Sequence, residues 1–393
     1  MDFLVKDAME NFEGGEESNQ IDDTLSEAKI LVVGAGGAGN NTITRLSSLG
    51  IQGAELIAVN TDKQQLEYSR ADKKVLIGYE ITKGLGAGGY PEIGRQSALD
   101  AKTVLRELLS DADLVFVTCG LGGGTGSGSL PVIAEIAEES GTVVVGAVTM
   151  PFKIERARIG KAREALGKLR RATDSVVVID NNKLLEYVPD LPMNEAFGVA
   201  DEVLARMVKG ISETIAIPSL INLDFADVRA VMENGGSRGV AMIGLGESDS
   251  RNRAEEAVLH ALENPLLDVD YRGATGALVH ITGGPDLTLA EATKIGEIAT
   301  SYLHSDANVI WGARIDPTFE KKVQVMVIMT GVTSPDIMGA SDIQVPMKEV
   351  KGLRDLTRPM SPMRLQSQVN SLPQQELETR ESIMAKLDID YII

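Results

Sequence analysis

Twice in the first 130 residues an aliphatic strand pattern runs straight into a glycine-rich segment and then into a helical pattern. Lys29-Ile-Leu-Val-Val33 is followed by Gly34-Ala-Gly-Gly-Ala-Gly-Asn40, with a helical pattern from Asn40 to about Leu49. Leu114-Val-Phe-Val-Thr118 leads into Gly120-Leu-Gly-Gly-Gly-Thr-Gly-Ser-Gly128, with a helix expected over Leu130–Glu139. Such strand–loop–helix units fold into a parallel sheet covered on both faces, because continuous aliphatic strands need burial on each side. Further strands are expected at Glu55–Asn60, Lys74–Gly78 and Thr142–Thr149, with a helix over Ala98–Leu109. No element is assigned between Met150 and Met193.

A long helical stretch starts near Asn194 and runs to about Ile217, followed by a loop at Pro218–Ala226. Strands and helices then alternate again over Gly239–Leu245, Ala254–Glu263, Gly276–Thr282, Leu289–Leu303, Asn308–Ile315 and Val323–Thr330. The fold expected is α/β, a Rossmann-like parallel-sheet domain joined by a long central helix to a second, smaller α/β domain. The boundaries are an acidic N-terminal arm at 1–28, a nucleotide-binding domain at 29–193, the helix at 194–217, the second domain at 218–333 and a flexible tail at 334–393. The arm holds nine acids and one lysine, and the tail five prolines and five methionines.

Composition narrows the function. A net charge of −19 disfavours a nucleic-acid binder that works by neutralising phosphates. One cysteine, Cys119, excludes an internal disulfide and a Cys-rich zinc site. His260, His280 and His304 lack ligand spacing, and no metal-ligating set is expected. No apolar run is long enough to span a bilayer, and the acidic N-terminus does not read as a secretory signal. A cytoplasmic protein is expected.

The first glycine loop fits G-x-G-x-x-G, with Asp62 about 20 residues on, and alone it would suit a dinucleotide. The second loop can form an anion nest, with the Thr125 and Ser127 hydroxyls as extra donors. The usual P-loop sequence is absent. Two phosphate cradles on neighbouring strands suit one multi-phosphate ligand better than a dinucleotide. A third glycine segment, Thr82–Pro91, is placed to close over a terminal phosphate, where Lys83 either supplies charge or is a solvated loop lysine. In Asn222-Leu-Asp-Phe-Ala-Asp-Val228, Asp224 and Asp227 can share one side of a helix start. Paired carboxylates there can orient a water or help hold a cation. Spacing alone favours helix capping, which explains either aspartate equally well.

Together these segments resemble FtsZ, the tubulin-like GTPase family of prokaryotic division. The resemblance rests on Gly36–Asn40, Asn60-Thr-Asp62, Ile81–Pro91, Gly122–Gly128, Met150-Pro-Phe152, Ala196–Asp201 and Asn222–Val228, in the family's order over roughly 29–332. It implies that Gly36, Gly37, Ala38, Gly39 and Asn40 line the first nucleotide loop and that Gly123, Gly124, Thr125 and Gly126 hold phosphates. Phe197 would pack on guanine, Asp201 would accept its ring N–H and exocyclic amine, and Asn182 would lie near the ribose. Asn222, Asp224 and Asp227 would complete the active site of the next subunit in a filament, with Mg²⁺ neutralising charge as GTP becomes GDP. The family's Glu-Gly-x-x-Arg is here Glu155-Arg-Ala-Arg158, so Glu155 carries over directly and Arg158 one residue early. That variant and the acidic arm are more similar to archaeal members.

The resemblance also implies head-to-tail self-assembly, work at a mid-cell division site, and a tail that docks on membrane-anchoring division proteins. The apolar end Ala385–Ile393 fits such docking, and fits equally a segment folded back on the body. Two other functions stay open. A Rossmann oxidoreductase would use Gly34–Gly39, and a weakly polymerising tubulin-superfamily protein would bind GTP as a structural or regulatory element.

Overall fold

The computed structural model describes residues 28–217, 219–221, 223–234, 239–263, 269–332 and 389–393. The N-terminal arm to residue 27, Asn222 and the tail from 333 to 388 lie outside the described residues. In chain order the first half contains β1 (Ile30–Ala35), α1 (Gly36–Leu49), β2 (Ala54–Asn60), α2 (Lys63–Tyr68), β3 (Lys73–Leu76), α3 (Tyr79–Thr82), α4 (Pro91–Asp100) and α5 (Lys102–Leu109). It continues with β4 (Leu114–Gly120), α6 (Thr125–Glu139), β5 (Val143–Met150), α7 (Ala157–Leu169), β6 (Ser175–Asp180) and α8 (Asn181–Tyr187). After α9 (Met193–Ala216) come α10 (Phe225–Asn234), β7 (Gly239–Ser248), α11 (Arg253–Leu262), β8 (Gly276–Gly283), α12 (Leu289–Thr300), β9 (Asn308–Ile315) and β10 (Val323–Val332). Tyr391–Ile392 forms β11.

The strands make one sheet in the order β11-β3-β2-β1-β4-β5-β6-β7-β10-β8-β9. From β3 to β6 every pairing is parallel. β1 and β5 are buried along their whole length, as strands covered on both faces must be. In the second half β10 runs antiparallel to both β7 and β8, and β8 is parallel to β9. The halves meet through Ser175–Gly239 and Val176–Val240, where β6 and β7 pair.

The long helix α9 lies against α1 because its apolar positions recur at helical spacing. Ala200, Leu204, Met207, Val208 and Ile211 are all buried. At its edge Lys209 Nζ donates to the carbonyls of Leu49 and Gly50 at 3.3 and 2.7 Å, satisfying the open end of α1.

Several element boundaries differ from those expected. α1 begins at Gly36 and α6 at Thr125, so residues read as loop are the first turns of helices. Glycine's low propensity is overridden by packing, since a Cβ on Gly126 would lie 3.0 Å from the Ala35 carbonyl and 2.9 Å from the Cys119 Cβ. The helix expected over Ala98–Leu109 is two helices that divide at Ala101, the first opened by Pro91 at its N-terminus. The unassigned stretch from Met150 to Met193 holds β6, α7 and α8.

Candidate nucleotide-binding site

Helices α1 and α6 both begin at the carboxyl ends of adjacent central strands, β1 and β4. Neither Ala35 before α1 nor Gly124 before α6 supplies a side-chain cap, so the first-turn N–H groups point outward without side-chain partners. The two starts touch. Gly36 has φ +69°, and a Cβ there would sit 2.9 Å from the Gly126 nitrogen, so only glycine lets the loops close up this far. The Thr125 and Thr61 hydroxyls lie 2.6 Å apart, tying the second loop to the end of β2. Two helix N-termini facing one space form an anion site by backbone donors and dipoles alone.

That space is a cavity of about 650 Å³. Of the expected residues, Gly36, Gly37, Ala38, Gly123, Gly124, Thr125, Gly126, Glu155, Arg158, Phe197 and Asp201 line it. Gly39 and Asn40 stand behind the wall. A Cβ on Gly39 would meet the Thr118 carbonyl. Asn40 is buried, and with its amide oriented to fit its surroundings it donates to Gly34 O at 2.9 Å and accepts from Asn60 Nδ2 at 3.1 Å. Its work is to brace the turn. Asn41, one residue on, reaches the cavity instead. Ser127 is buried and outside the lining, and its hydroxyl accepts the Gly122 N–H at 2.8 Å and closes the second loop.

The third glycine segment reaches the same space through Gly86. Asp62 caps α2 through the Gln65 N–H at 3.1 Å and also faces the cavity. Lys83 is outside the lining, paired with Glu80 at 3.2 Å on the surface.

At the other end of the cavity Phe197 meets Phe152 edge-on, ring centres 5.5 Å apart. Phe197 is 40% exposed, which leaves room for a planar ligand to pack on it. Burial pushes the Asp201 carboxyl up to about 6, against a hydrogen bond from Thr42 at 3.3 Å and the charge of Arg45. A desolvated carboxylate with one hydroxyl partner is an acceptor waiting for donors.

Glu155 and Arg158 meet at the rim in a 2.7 Å ion pair, and Glu155 also accepts the Phe152 N–H at 3.0 Å. The short 3-10 turn Lys153–Glu155 followed by α7 brings the arginine in despite the missing residue. Asn182, expected near the ribose, is turned away. Its side chain bonds the Lys153 N–H at 2.9 Å and the Asp180 carboxylate at 2.6 Å. The neighbouring Asn181 lines the cavity, and its buried Oδ1 has no partner in the protein. The sequence offered two adjacent asparagines and no signal to choose between them.

Asp224 and Asp227 do not line this cavity. They cap α10 reciprocally: Asp224 Oδ1 accepts the Asp227 N–H at 2.8 Å, and Asp227 Oδ2 the Asp224 N–H at 3.4 Å. Among the described residues no cluster of His, Cys, Asp and Glu could hold a metal by itself, and no helix is long and apolar enough to cross a membrane.

Two family models match the chain: the GTPase domain of the Tubulin/FtsZ family over residues 29–189, and the C-terminal domain of the FtsZ family over 239–333. A relative named cell division protein FtsZ 2, from Methanocaldococcus jannaschii, is 62% identical over 339 residues, covering 86% of this chain and 88% of its own. A solved FtsZ dimer, empty, from M. jannaschii is 51% identical with a TM-score of 0.73, covering 84% and 92%. A protofilament of CetZ2 from Haloferax volcanii bound to GTPgS is 25% identical with a TM-score of 0.67, covering 79% and 96%.

Proposed function

The chain belongs to the tubulin/FtsZ family, and on that premise we propose how its cavity binds and hydrolyses GTP. It is a filament-forming GTPase of cell division. In our reading the first turns of α1 and α6, with Gly86 from the third segment, hold the phosphates. Asn181 accepts from a ribose hydroxyl through its unpartnered Oδ1. Phe197 packs on the base, and Asp201 accepts the two adjacent N–H donors of guanine. Adenine offers an acceptor where guanine carries its ring N–H, so the same carboxylate rejects it. Within this reading 29–193 is the nucleotide-binding unit, 194–217 the joining helix and 218–333 the second unit.

The observation that carries the hydrolytic mechanism is the separation of the Asp224–Asp227 pair from the cavity. Asp201 serves the base and Glu155 is tied to Arg158. Asp62, the carboxylate beside the phosphate loops, caps α2 with one oxygen and keeps the other for a cation's waters. Asp224 and Asp227 are outside the cavity, on a segment where Leu220 is 74% exposed and Ile221 also stands out to solvent. Ile154 and Leu185 likewise project beside the base end of the cavity. Two exposed apolar patches, one on the aspartate segment and one beside the cavity, suit head-to-tail stacking of copies. Stacking would bring the aspartates of one subunit to the phosphates of the next, where they orient the attacking water. Mg²⁺ would enter with the triphosphate and neutralise its charge, with Asp62 the carboxylate placed to hold its waters. Hydrolysis would then depend on assembly, and the filament would act at the division site. Membrane-anchoring division proteins would be its partners through the tail.

Asp224→Asn tests this directly, since asparagine caps a helix as well as aspartate. GTP should bind as tightly as before and the protein should melt at the same temperature, while turnover falls by at least about 100-fold. Turnover near the normal rate would remove Asp224 from the mechanism.

A further inference from the structure

The outer edge of the parallel sheet is covered by the chain itself. β3 is only four residues long, and its free side is paired with residues 389–393 in parallel, Tyr391 opposite Val75 and Ile392 opposite Leu76. Asp390 N–H donates to Lys74 O at 3.0 Å and Ile393 N–H to Leu76 O at 2.9 Å. The Asp390 carboxylate accepts the Lys74 N–H at 2.6 Å. Ile389 and Ile392 are buried on one face of the sheet, while Tyr391 and Ile393 pack against the other. Apolar residues on both faces and backbone bonds along the edge make this strand addition, the mode by which sheets bind peptides.

The contact does not end at β3. The Ile393 carbonyl accepts the Tyr79 N–H at 2.8 Å, at the start of α3. One turn on, the Thr82 hydroxyl lies 3.2 Å from Thr61 O and 3.0 Å from Gly78 O, and it accepts the Gly84 N–H at 3.2 Å. Gly86, which lines the cavity, donates its N–H to Thr61 O at 3.1 Å. Thr61 in turn meets Thr125 in the second phosphate loop. A continuous set of hydrogen bonds therefore runs from the tail through α3 to the phosphate end of the cavity.

We propose that residues 389–393 are a cis ligand of the β3 edge, and that their docking steadies the Tyr79–Gly89 wall of the nucleotide cavity. Whatever draws the tail off the sheet then also loosens that wall, so tail occupancy and nucleotide retention are linked. Linkage is reciprocal: a nucleotide that orders the wall strengthens the docking of the tail.

The test is amide hydrogen exchange, read without nucleotide, on the full chain and on a chain lacking residues 389–393. Asp390→Ala, an exposed change that removes the side-chain acceptor and its charge near Lys73, guards against misfolding of the truncated chain. In the truncated chain exchange should accelerate at least about fivefold at Lys74 and Tyr79, where the tail bonds directly, and also at Gly86, which it does not touch. Asp390→Ala should shift Lys74 the same way by a smaller factor. Release of bound GDP should quicken in the order full chain, Asp390→Ala, truncation. Equal exchange at Lys74 and Tyr79 in all three proteins would overturn the docking. Faster exchange there with Gly86 and GDP release unchanged would overturn the link to the cavity. Failure to bind GDP at all would count against the nucleotide reading and leave the exchange result to judge the tail.

Discussion

Asp201 is the residue on which the proposed base recognition turns. Its carboxyl is raised to about 6 by burial, and it must be ionised to accept two donors from guanine. Affinity for GTP should therefore hold steady above about pH 6 and fall roughly tenfold per unit below it, which titration calorimetry from pH 5 to 8 would show. The same shift has the opposite sign for the empty protein. A carboxyl raised on folding lends stability while protonated, and that contribution is lost as pH rises through about 6. Asp201→Ala should weaken GTP about 30-fold or more and abolish the preference over ATP; an unchanged preference would move base recognition elsewhere. Neither Phe197 nor Asp201 was legible from local pattern, because both sit on an ordinary amphipathic helix and become a site only when α9 packs against α1. The resemblance to a family pointed to them. Asn181 escaped both routes, since the orphaned oxygen that marks it exists only in three dimensions.

At the scale of elements, the two glycine runs announced themselves and were still half misread. Their composition marked phosphate cradles, yet propensity assigned them to loops where α1 and α6 had already begun. What propensity cannot weigh is that these glycines let two helix starts touch each other and the strands beneath. Gly36→Ala puts a Cβ on a residue at φ +69°, 2.9 Å from the Gly126 nitrogen. It should cost about 1–2 kcal/mol of stability and widen the cradle, so that thermal melting drops and GTP no longer raises the melting temperature as far. A normal GTP-induced rise in that variant would show that the contact between the loops is dispensable for phosphate binding. The same element-level view settles what Asp224 and Asp227 do within one chain, where they cap α10 as spacing alone suggested. Capping and a role in a neighbouring subunit are compatible, because each carboxylate keeps an oxygen beyond the one that caps.

For the whole molecule, the α/β class and the alternation of strands and helices were readable from aliphatic runs, and the long α9 from its length and period. The sheet's continuity from one half to the other was not, since β6 fell in an unassigned stretch and its pairing with β7 spans two residue pairs. Nor could the sequence choose between a tail reserved for partners and one folded back, and residues 389–393 are found on the β3 edge. The central proposal belongs to this scale: one chain holds GTP, and a second would complete the machinery that cleaves it. The most direct measurement is GTP turnover per subunit across a range of protein concentrations, with the same samples pelleted to follow assembly. A rate per subunit that climbs with the pelleted fraction and is near zero in dilute solution is the result expected. A rate per subunit that stays constant from dilute monomer to filament would contradict it.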